Sequence, residues 1–582
     1  MCGILCLLSL DLNIPHIVEE YKRILKNRGP DVQNCVYECN DLIAFFGFVL
    51  WQQGEQVFSQ PAVSEKYVLL LNGDIYNANK PLLMSDTEWL SLELQKCETE
   101  NSIIELIRSL KGPYSIIFYD KQLKLLYFAR DPLGRNSLVV ERDFSNNLIK
   151  IASTSNFSNK KNIPAELPPV GLYKLHIEYE SNNACLNLKN FELFSWKFIS
   201  PDQKESIESI FQKPLIESVV PENPHGIRLE MLNNRKYFNF YEKVQNLNTN
   251  VTDKMVELLK DEEIALCVED VINLLKFSLK DRILNTPNFC VACIKESRMC
   301  NHSKIGILFS GGLDCSILAK LSNDFCNKSD SIDLINVAFE NVNSKNEQQI
   351  DWYTPDRITG LKSFKELKEL MPERKWNFVE VNVTRKELDL YLSKTIKHLI
   401  YPLNTVLDES LGASFWFASR GKGVLESELY QTTCRVILLG SGADEMFGGY
   451  TRHRNAFVRT QGEFSTKINA VRKELKTDWD RIAFRNLGRD DRVIADNGKT
   501  ARAPYIEENF VSYINNLEPE QKCCFILGQG IGEKLLLRLC GLKLNLRYSS
   551  TLQKRAIQFG SKIADKKQNA TDISKYLLHL EN

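Results

Sequence analysis

Residues 307–316 read Ile-Leu-Phe-Ser-Gly-Gly-Leu-Asp-Cys-Ser, an apolar run that leads into a glycine-rich turn and a helix start. This pattern predicts a buried strand followed by a tight turn whose backbone N–H groups bind phosphate at a helix N-terminus. Asp314 is suited to hold Mg²⁺ on those phosphates, because Mg²⁺ prefers carboxylate oxygens. The stretch lacks the Gly-Lys-Ser/Thr of the P-loop motif, so it predicts a different kind of nucleotide site.

The chain around this stretch alternates between apolar strands and helices. The sequence predicts strands at 304–309, 333–338 and 435–440, and helices at 266–279, 315–321, 386–398 and 408–419. Such alternation indicates a doubly wound, mostly parallel sheet over residues 261–582. The polar segment 340–376 has no clear periodicity, so we expect an insertion there.

The first third of the chain has a different pattern. Residues 2–195 predict short strands interrupted by a helix before Arg28 and a helical region at 87–110, which indicates two sheets covered by helices. The predicted strands are 3–10, 43–50, 66–72, 114–120, 123–129, 137–142 and 148–153. Residues 196–260 are polar and rich in Pro and Asn, so we expect an irregular linker between two domains.

Cys2 is a candidate nucleophile. Removal of Met1 would place it at the N-terminus, where its own α-amine could deprotonate a thiol whose ordinary pKa is ~8.5. The alternative interpretation is a strand residue. Asn72-Gly73 predicts a tight turn after an apolar strand, and Ser85 predicts a helix N-cap with Asp86 in the acidic first turn.

These N-terminal segments resemble the glutaminase half of the class II amidotransferases, specifically that of asparagine synthetase. The resemblance rests on Met-Cys-Gly-Ile at 1–4, Arg-Gly-Pro-Asp at 28–31, Asn-Gly-Asp-Ile-Tyr-Asn at 72–77 and Ser-Asp-Thr-Glu at 85–88. It implies an αββα Ntn-hydrolase sandwich. It further implies that Cys2 attacks glutamine, that Asn72 and Gly73 hold the oxyanion, and that the substrate is bound by Arg28, Asp74 and Asp86.

One N-terminal segment departs from that family. The family has Gly-His-Glu-Arg, whose arginine binds the glutamine α-carboxylate, where this chain has Gly47-Phe48-Val49-Leu50. Loss of such a charge-assisted pair weakens glutamine binding by ~2–4 kcal/mol unless another cation replaces it.

The C-terminal half resembles the ATP-pyrophosphatase domain of asparagine synthetase. Residues 310–316 resemble its pyrophosphate loop, residues 442–450 resemble its Ser-Asp-Glu-x-Phe-Gly-Gly-Tyr segment, and residues 532–534 and 553–560 resemble its two lysine-bearing segments. The resemblance implies Mg²⁺ held by Asp314 and Asp444. The implied ATP and pyrophosphate contacts are Leu308, Ser310, Gly311, Gly312, Asp314, Cys315, Ser316, Val337, Gly440, Lys534 and Lys554.

Two substitutions stand out in this half. Cys315 replaces a serine of the pyrophosphate loop, and a thiol is a poorer hydrogen-bond donor. Ser441 stands where the family has a glutamate implicated in the ammonia step, and a hydroxyl cannot act as general base near neutral pH. Together with the segments 355–360 and 485–493, these two substitutions make the chain most similar to the group of asparagine synthetase domain-containing proteins.

Composition excludes several classes of function. The 582-residue chain has 74 basic and 74 acidic residues, so its bulk charge favours neither nucleic acid nor an anionic membrane. Its apolar runs are shorter than the ~20 residues needed to span a bilayer. The first residues lack a basic n-region, so we expect a cytoplasmic protein whose sixteen cysteines are reduced thiols.

A group of potential metal ligands precedes the pyrophosphate-loop strand. Cys290, Cys293, Cys300 and His302 are residue types that bind Zn²⁺. Their spacing is not a standard pairing and no second Cys-x-x-Cys follows, so an inserted loop with free thiols is the favoured interpretation.

The combined motifs predict an enzyme that uses glutamine, ATP and a carboxylate substrate, with aspartate as the expected acceptor. Glutamine would be hydrolysed at Cys2, and ammonia would pass to an ATP-activated carboxylate with release of AMP and pyrophosphate. The alternative hypothesis, motivated by Leu50 and Ser441, is a catalytically impaired protein that binds glutamine or nucleotide or serves as an interaction scaffold. A third hypothesis keeps adenylation and changes the acceptor.

Overall fold

The computed structural model describes residues 2–10, 17–155, 163–180, 185–220, 236–245, 247, 250–287, 289–296, 298–340, 351–564 and 569–578. The strands are, in chain order, β1 (Gly3–Ser9), β2 (Val32–Glu38), β3 (Ile43–Val49), β4 (Ala62–Val63), β5 (Tyr67–Gly73), β6 (Tyr114–Asp120), β7 (Leu125–Arg130), β8 (Val139–Asp143), β9 (Leu148–Ala152), β10 (Ile163–Glu166), β11 (Gly171–Glu180), β12 (Cys185–Ser195), β13 (Leu215–Val219), β14 (Ile305–Leu308), β15 (Ile332–Phe339), β16 (Trp376–Val383), β17 (Lys422–Leu425), β18 (Glu428–Gln431), β19 (Val436–Leu438) and β20 (Thr500–Arg502).

The helices accompany these strands. They are Ile17–Arg28, Asp86–Gln95, Glu100–Ser109, Pro201–Phe211, Phe240–Gln245, Val251–Leu258, Glu262–Leu284, Leu313–Ser322, Pro355–Leu370, Arg385–Tyr391, Lys397–Ile400, Val406–Arg420, Ala443–Phe447, Thr451–Arg459, Phe464–Ile482, Gly488–Ala495, Glu508–Asn516, Pro519–Lys522, Leu535–Lys543, Arg547–Ser550, Ile557–Gly560 and Lys575–Leu578. Short 3-10 turns lie at Ile294–Glu296 and Phe525–Leu527, and π-helical segments at Leu392–Ile396 and Ala483–Leu487.

The N-terminal unit (residues 2–220) has four layers. Its two sheets have the strand orders β10-β8-β9-β1-β3-β2 and β13-β12-β11-β7-β6-β5-β4. Apolar side chains from both, such as Ile4 and Ile117, form the core between them. The helix Ile17–Arg28 covers the first sheet, and two helices that begin at Asp86 and Glu100 cover the second. The predicted αββα sandwich is therefore confirmed.

The C-terminal unit (residues 236–578) is built on a third sheet, ordered β18-β17-β16-β15-β14-β19-β20. The strands β16, β15, β14, β19 and β20 pair in parallel, while β17 and β18 form an antiparallel edge. Helices pack on both faces, with Leu313–Ser322 on one side and Val406–Arg420 on the other. This confirms a doubly wound, mostly parallel sheet.

The prediction of an irregular linker at 196–260 was wrong for its described residues. Ser200 caps the helix Pro201–Phe211 in a capping box with Gln203, and β13 pairs in parallel with β12. Ile207 and Phe211 lie in the core between the first two sheets, whereas the helices after residue 236 pack into the C-terminal core. Polar composition concealed these elements because only a few apolar side chains, spaced one helical turn apart, are needed to attach them.

The predicted insertion at 340–376 also needs correction. Residues 355–370 form a helix that begins with Thr354 as N-cap and Pro355 in its first turn. Its buried side includes Gly360 and Ser363, residues that hydropathy does not mark as buried. Residues 341–350 lie outside the described residues. Among the described residues, no helix is both long enough and apolar enough to cross a membrane.

Candidate active sites

The first candidate site surrounds Cys2, which lies just before β1 and is buried. Gln60 places its side-chain amide beside the thiol, with Nε2 3.5 Å from Cys2 Sγ. The same amide pairs with the backbone of Leu71 in both directions and donates to Thr87 Oγ1 at 2.9 Å, so its position is determined. Burial raises the pKa of the Cys2 thiol, although the nearby Arg28 opposes that shift.

A small cavity opens beside the thiol. Its volume is about 40 Å³, little more than the ~30 Å³ share of one water molecule. Gly73 and Asp86 line it together with Cys2, so the structure brings these three predicted residues together. Asn72 lies at the same turn, but its amide donates to Ser115 Oγ at 3.3 Å and its Oδ1 is buried without a hydrogen-bond partner among the described residues.

Asp86 lies in the first turn of its helix, with Ser85 as N-cap. Its Oδ1 accepts a hydrogen bond from the Ile75 N–H at 3.1 Å and lies 3.3 Å from Lys80 Nζ. Burial raises the pKa of Asp86 to about 7 despite the Lys80 ammonium. The ionised carboxylate, which an α-ammonium group would need, is therefore only partly populated at neutral pH and becomes less so as the pH falls.

The other two predicted substrate ligands, Arg28 and Asp74, do not line the cavity, although Arg28 Nε donates to the Cys2 carbonyl at 3.4 Å. Arg28 forms a buried ion pair with Asp491 at 3.0 Å, and Asp74 accepts two hydrogen bonds from Arg502, at 2.8 and 2.9 Å. Burial alone would raise the pKa of Asp74, but the Arg502 guanidinium lowers it to about 2. Both side chains thus join the N-terminal unit to the C-terminal unit and do not line the cavity.

No arginine lines this cavity, within the part of the chain that the structure describes, and Leu50 forms part of its wall. Lys80 is a cation that the sequence reasoning missed. Its ammonium is buried, donates to Gln53 Oε1 at 2.8 Å and approaches Asp86. The sequence offered one weak signal, since Lys80 precedes the Pro81 turn that leads to the Ser85 cap.

The second candidate site lies where β14 ends. The sheet order reverses there, because β15 and β19 flank β14 on opposite sides, and ligands of doubly wound sheets bind at such a point. A cavity of about 450 Å³ opens at this edge, within the range of small-molecule sites. Among the predicted residues, its lining includes Ser310, Gly312, Asp314, Lys534 and Lys554.

The glycine-rich turn has the geometry of a phosphate loop. Gly311 has φ of +80°, and a Cβ there would lie 2.5 Å from the Gly360 Cα, so a side chain is excluded. Cys315 donates from Sγ to the Gly312 carbonyl at 3.2 Å, and burial raises its pKa to about 11, which keeps the thiol protonated. Ser316 similarly donates to the Gly311 carbonyl at 3.5 Å.

The remaining predicted nucleotide contacts lie on the strands around the turn. Leu308 ends β14, and Val337 lies towards the carboxyl end of β15. Gly440 follows β19, and a Cβ there would lie 3.1 Å from the Asp314 Cβ. Of these three residues, Gly440 adjoins Asp314, and none is among the residues that line the cavity.

Two lysines and two carboxylates form a cluster in this cavity. Lys534 Nζ lies 2.6 Å from both Asp314 Oδ2 and Asp444 Oδ1, and Lys554 pairs with the other Asp444 oxygen. Burial alone would raise the pKa of Asp444, but Lys534 and Lys554 lower it well below its ordinary value. Asp314 Oδ1 is buried without a hydrogen-bond partner among the described residues, so the pair offers oxygen ligands of the kind Mg²⁺ takes.

The structure adds residues to this site that sequence reasoning missed. Asp356, Thr359 and Lys362 come from the helix that had been predicted as an insertion, and Tyr548 and Arg555 approach from the C-terminal segment. Burial raises the pKa of Asp356 to about 7, although Arg555 and Lys554 oppose the shift. The Pro-Asp-Arg-Ile-Thr-Gly run at 355–360 was a usable signal, because Pro followed by Asp often begins a helix.

Ser441 lies in the turn before the helix Ala443–Phe447, and a buried carboxylate follows it. Glu445 Oε1 accepts hydrogen bonds from Tyr450 Oη at 2.7 Å and from Asn486 Nδ2 at 3.0 Å. Burial is the main cause that raises the pKa of Glu445, and the neighbouring Asp444 carboxylate raises it further. A carboxyl group is therefore present four residues after the position where the family has its glutamate.

Known proteins match this chain over almost its whole length. The glutamine amidotransferase domain model matches residues 1–194, and the asparagine synthase model matches residues 295–544. Asparagine synthetase domain-containing protein CG17486 of Drosophila melanogaster is 47% identical, with 99% of this chain and 100% of that protein covered. Human asparagine synthetase domain-containing protein 1 is 34% identical, with coverage of 97% and 95%.

A more distant relative shows the same arrangement. Asparagine synthetase domain-containing protein YML096W of Saccharomyces cerevisiae is 27% identical, with 94% of this chain and 90% of that protein covered. One matched domain model lies within each unit of the fold, residues 1–194 in the N-terminal part and residues 295–544 in the C-terminal unit. The chain therefore belongs to the family of asparagine synthetase domain-containing proteins, with a glutamine amidotransferase domain followed by an asparagine synthase domain.

Proposed function

We propose that this chain is a ligase that uses glutamine and ATP to amidate a carboxylate, with aspartate as the acceptor. The observation that supports this most is the Asp314–Lys534–Asp444–Lys554 cluster, of which Asp314, Lys534 and Lys554 line a cavity of about 450 Å³ at the end of β14. Lysines suit the phosphates of a nucleoside triphosphate, and the neighbouring carboxylates suit the divalent metal bound to those phosphates.

In the proposed reaction, an acceptor carboxylate oxygen attacks the α-phosphorus of ATP, and pyrophosphate leaves. Ammonia then attacks the acyl carbon of the adenylate, and AMP leaves as the amide forms. Lys534 and Lys554 neutralise the charge on the leaving pyrophosphate, while the N–H groups around Gly312 hold its oxygens. Mg²⁺ held by Asp314 and Asp444 would supply further neutralisation of the phosphates.

The ammonia would come from the N-terminal unit. Cys2 Sγ attacks the side-chain amide carbon of glutamine, ammonia leaves, and water hydrolyses the thioester to glutamate. Asp86 would bind the substrate α-ammonium, and the Gly73 N–H would stabilise the oxyanion. Lys80 would be the candidate cation to compensate for the missing arginine, since it is buried 3.3 Å from Asp86, although it does not itself line the cavity.

The decisive experiment is aspartate-dependent exchange of pyrophosphate into ATP. We expect exchange in the purified chain, and a loss of at least ~100-fold in Lys554→Ala, because removal of one charge-stabilising group typically costs that much. Lys476→Ala is the matched control, since that lysine is 75% exposed in a surface pair. Absence of exchange with aspartate and with a panel of other carboxylates would contradict the proposal.

The Cys2 assignment needs a separate measurement. Cys2→Ala should abolish glutamine hydrolysis while amidation driven by added ammonium salt continues. Mass spectrometry of the purified chain should show that Met1 has been removed. Unchanged glutamine hydrolysis in Cys2→Ala would show that the nucleophile is another group.

A second candidate function has its own support. The cavity at Cys2 is small, about 40 Å³, and the predicted substrate ligand Asp74 is paired with Arg502 and does not line it. The alternative is an ATP-dependent adenylating or nucleotide-binding protein whose N-terminal unit binds partners instead of glutamine. Pyrophosphate exchange without glutamine hydrolysis would favour an adenylating protein. ATP binding without exchange would favour a protein that only binds nucleotide.

The ammonia step directs attention to Glu445. Because Ser441 cannot take a proton from ammonia near neutral pH, the buried Glu445 is the carboxyl group that we propose for that role. Glu445→Gln should then lower amide formation more than pyrophosphate exchange. Equal loss in both measurements would instead indicate a purely structural carboxylate.

A further inference from the structure

Four potential metal ligands converge in the loop between the helix Glu262–Leu284 and β14. The three thiol sulfurs of Cys290, Cys293 and Cys300 and one ring nitrogen of His302 all lie within 4.8 Å of one another. His302 Nδ1 is 3.4 Å from Cys290 Sγ and 3.6 Å from Cys293 Sγ. Cys290 and Cys293 are fully buried, whereas His302 is exposed.

These distances match a tetrahedral zinc centre. With Zn–S of about 2.3 Å and Zn–N of about 2.0 Å, sulfur and nitrogen ligands at tetrahedral angles lie ~3.5 Å apart. The two measured sulfur–nitrogen distances are close to that value. Three thiolates and one imidazole are a ligand set of structural zinc sites, which leave no coordination position open.

Backbone geometry explains how irregular spacing produces a compact site. The Cys293 and Ile294 N–H groups donate to the Cys290 carbonyl, and the Arg298 N–H donates to the Cys293 carbonyl. These turns place both buried sulfurs on one side of the loop. Lys304 Nζ donates to the Cys300 carbonyl at 2.9 Å, which holds the returning end of the loop against β14.

We propose that the chain binds one Zn²⁺ through Cys290, Cys293, Cys300 and His302. The ion is structural, since all four positions are protein ligands, and it closes the loop that leads into the nucleotide-binding strand. The proposal departs from the free-thiol interpretation that the spacing favours, because the fold gathers the four ligand atoms within 4.8 Å of one another.

The loop also contacts the N-terminal unit. The Phe289 ring lies 6.0 Å from the Trp51 ring, and Trp51 lines the cavity beside Cys2. The Val291 N–H donates to the Thr433 carbonyl at 3.0 Å, which ties the loop to the segment before β19. Zinc binding therefore orders a segment that contacts the wall of the Cys2 cavity and the segment before β19.

The test is zinc content of the full chain, purified with a reductant and without chelator. Elemental analysis should find about one Zn²⁺ per chain, as expected for a closed four-ligand site. Cys290→Ser combined with Cys293→Ser should abolish binding, and so should the milder His302→Ala, whose side chain is exposed. Cys35→Ser combined with Cys39→Ser is the matched control, which removes two thiols from the N-terminal unit and should leave zinc unchanged.

Two further measurements do not depend on whether the variants fold. Co²⁺ in place of zinc should give the visible bands of a tetrahedral thiolate complex. Chelation of zinc from the wild-type chain should raise amide hydrogen exchange in residues 289–304 and around Trp51. Zinc content near zero after reconstitution with excess Zn²⁺, or a Cys290–Cys293 disulfide in the zinc-free native chain, would overturn the proposal.

Discussion

Asp86 shows how one buried carboxyl group can make glutamine use depend on pH. Its pKa of about 7 means that the ionised form, which an α-ammonium needs, is only partly populated at neutral pH. A charge-assisted hydrogen bond of this kind contributes ~1.5–3 kcal/mol to binding. The binding role that we propose for Asp86 would therefore depend on the protonation state of its carboxyl group.

For Asp86, we expect kcat/KM for glutamine to rise with pH through about 7 as the carboxyl group loses its proton. Asp86→Asn should lower kcat/KM by ~10–100-fold and remove this limb of the pH profile. Asp202→Asn, at an exposed position, is the control and should keep the wild-type profile. A limb near pH 7 that persists in Asp86→Asn would assign the titration to another group.

Asp356 is a second titrating carboxyl group, in the nucleotide cavity. Its pKa is about 7 in the folded chain and ordinarily about 3.8, so the folded state binds the proton more tightly than the unfolded state. By proton linkage, its contribution makes the folded state less stable as the pH rises from about 4 to about 7, by ~4 kcal/mol at most.

The Asp356→Asn variant tests whether Asp356 makes the folded state less stable as the pH rises, because an amide does not titrate. The stability of the variant relative to wild type should increase between pH 5 and pH 8, as measured by urea unfolding at each pH. Asp202→Asn should show no such trend. A constant difference across this pH range would mean that Asp356 is ionised in the folded chain throughout.

At the scale of elements, the segment after β12 is part of the N-terminal core. The helix Pro201–Phe211 buries Ile207, Ile210 and Phe211 between the sheets, and β13 extends the second sheet. The Phe211 ring lies 4.5 Å from that of Phe191 and 5.6 Å from that of Phe128. A fragment that ended at residue 195 would expose this apolar surface.

Phe211→Ala should therefore lower the free energy of unfolding by ~3–5 kcal/mol, the usual cost of removing a buried ring. Phe198→Ala is the matched control, because that ring is 81% exposed and precedes the same helix. We expect the control to lie within ~0.5 kcal/mol of wild type in urea unfolding. Similar values for the two variants would contradict the assignment of this helix to the core.

At the scale of the whole molecule, arginine–carboxylate pairs join the two units. They link the N-terminal unit to the C-terminal unit at Arg28–Asp491, Asp31–Arg435, Asp74–Arg502, Arg135–Glu508 and Glu166–Arg492. Nearly all of these side chains are buried, so each pair is costly to break, because its remaining charge would stay in a dry interface. Together, these five ion pairs fix the position of one candidate site relative to the other.

Arg502→Met should lower the free energy of unfolding by ~3–5 kcal/mol, since it leaves the Asp74 carboxylate buried without its charge partner. Arg472→Met, which breaks a pair with about half of each side chain exposed, should cost at most ~1 kcal/mol. Urea unfolding measures both. The double variant with Asp74→Asn should recover part of the loss, and absence of recovery would show that the pair itself is not the cause.

Local patterns in the sequence determined the elements and the residue types of both sites. The run from Ile307 to Ser316 predicts the strand, turn and helix that are observed, because those conformations depend on residues a few positions apart. The same holds for the Cys2 strand and the Ser85 cap. The resemblance of these motifs also identified the family and the order of its two domains.

Only the tertiary structure decided which charged groups meet. Arg28 pairs with a residue 463 positions away and Asp74 with one 428 positions away, so each has a charge partner that no local pattern predicts. Packing of distant segments also brings Asp356 to the nucleotide cavity. The Lys80–Asp86 pair and the Cys290, Cys293, Cys300 and His302 group instead depend on turns within single loops, which no periodicity marks. Residue type determines what a side chain can bind, whereas its actual partner depends on how distant segments pack.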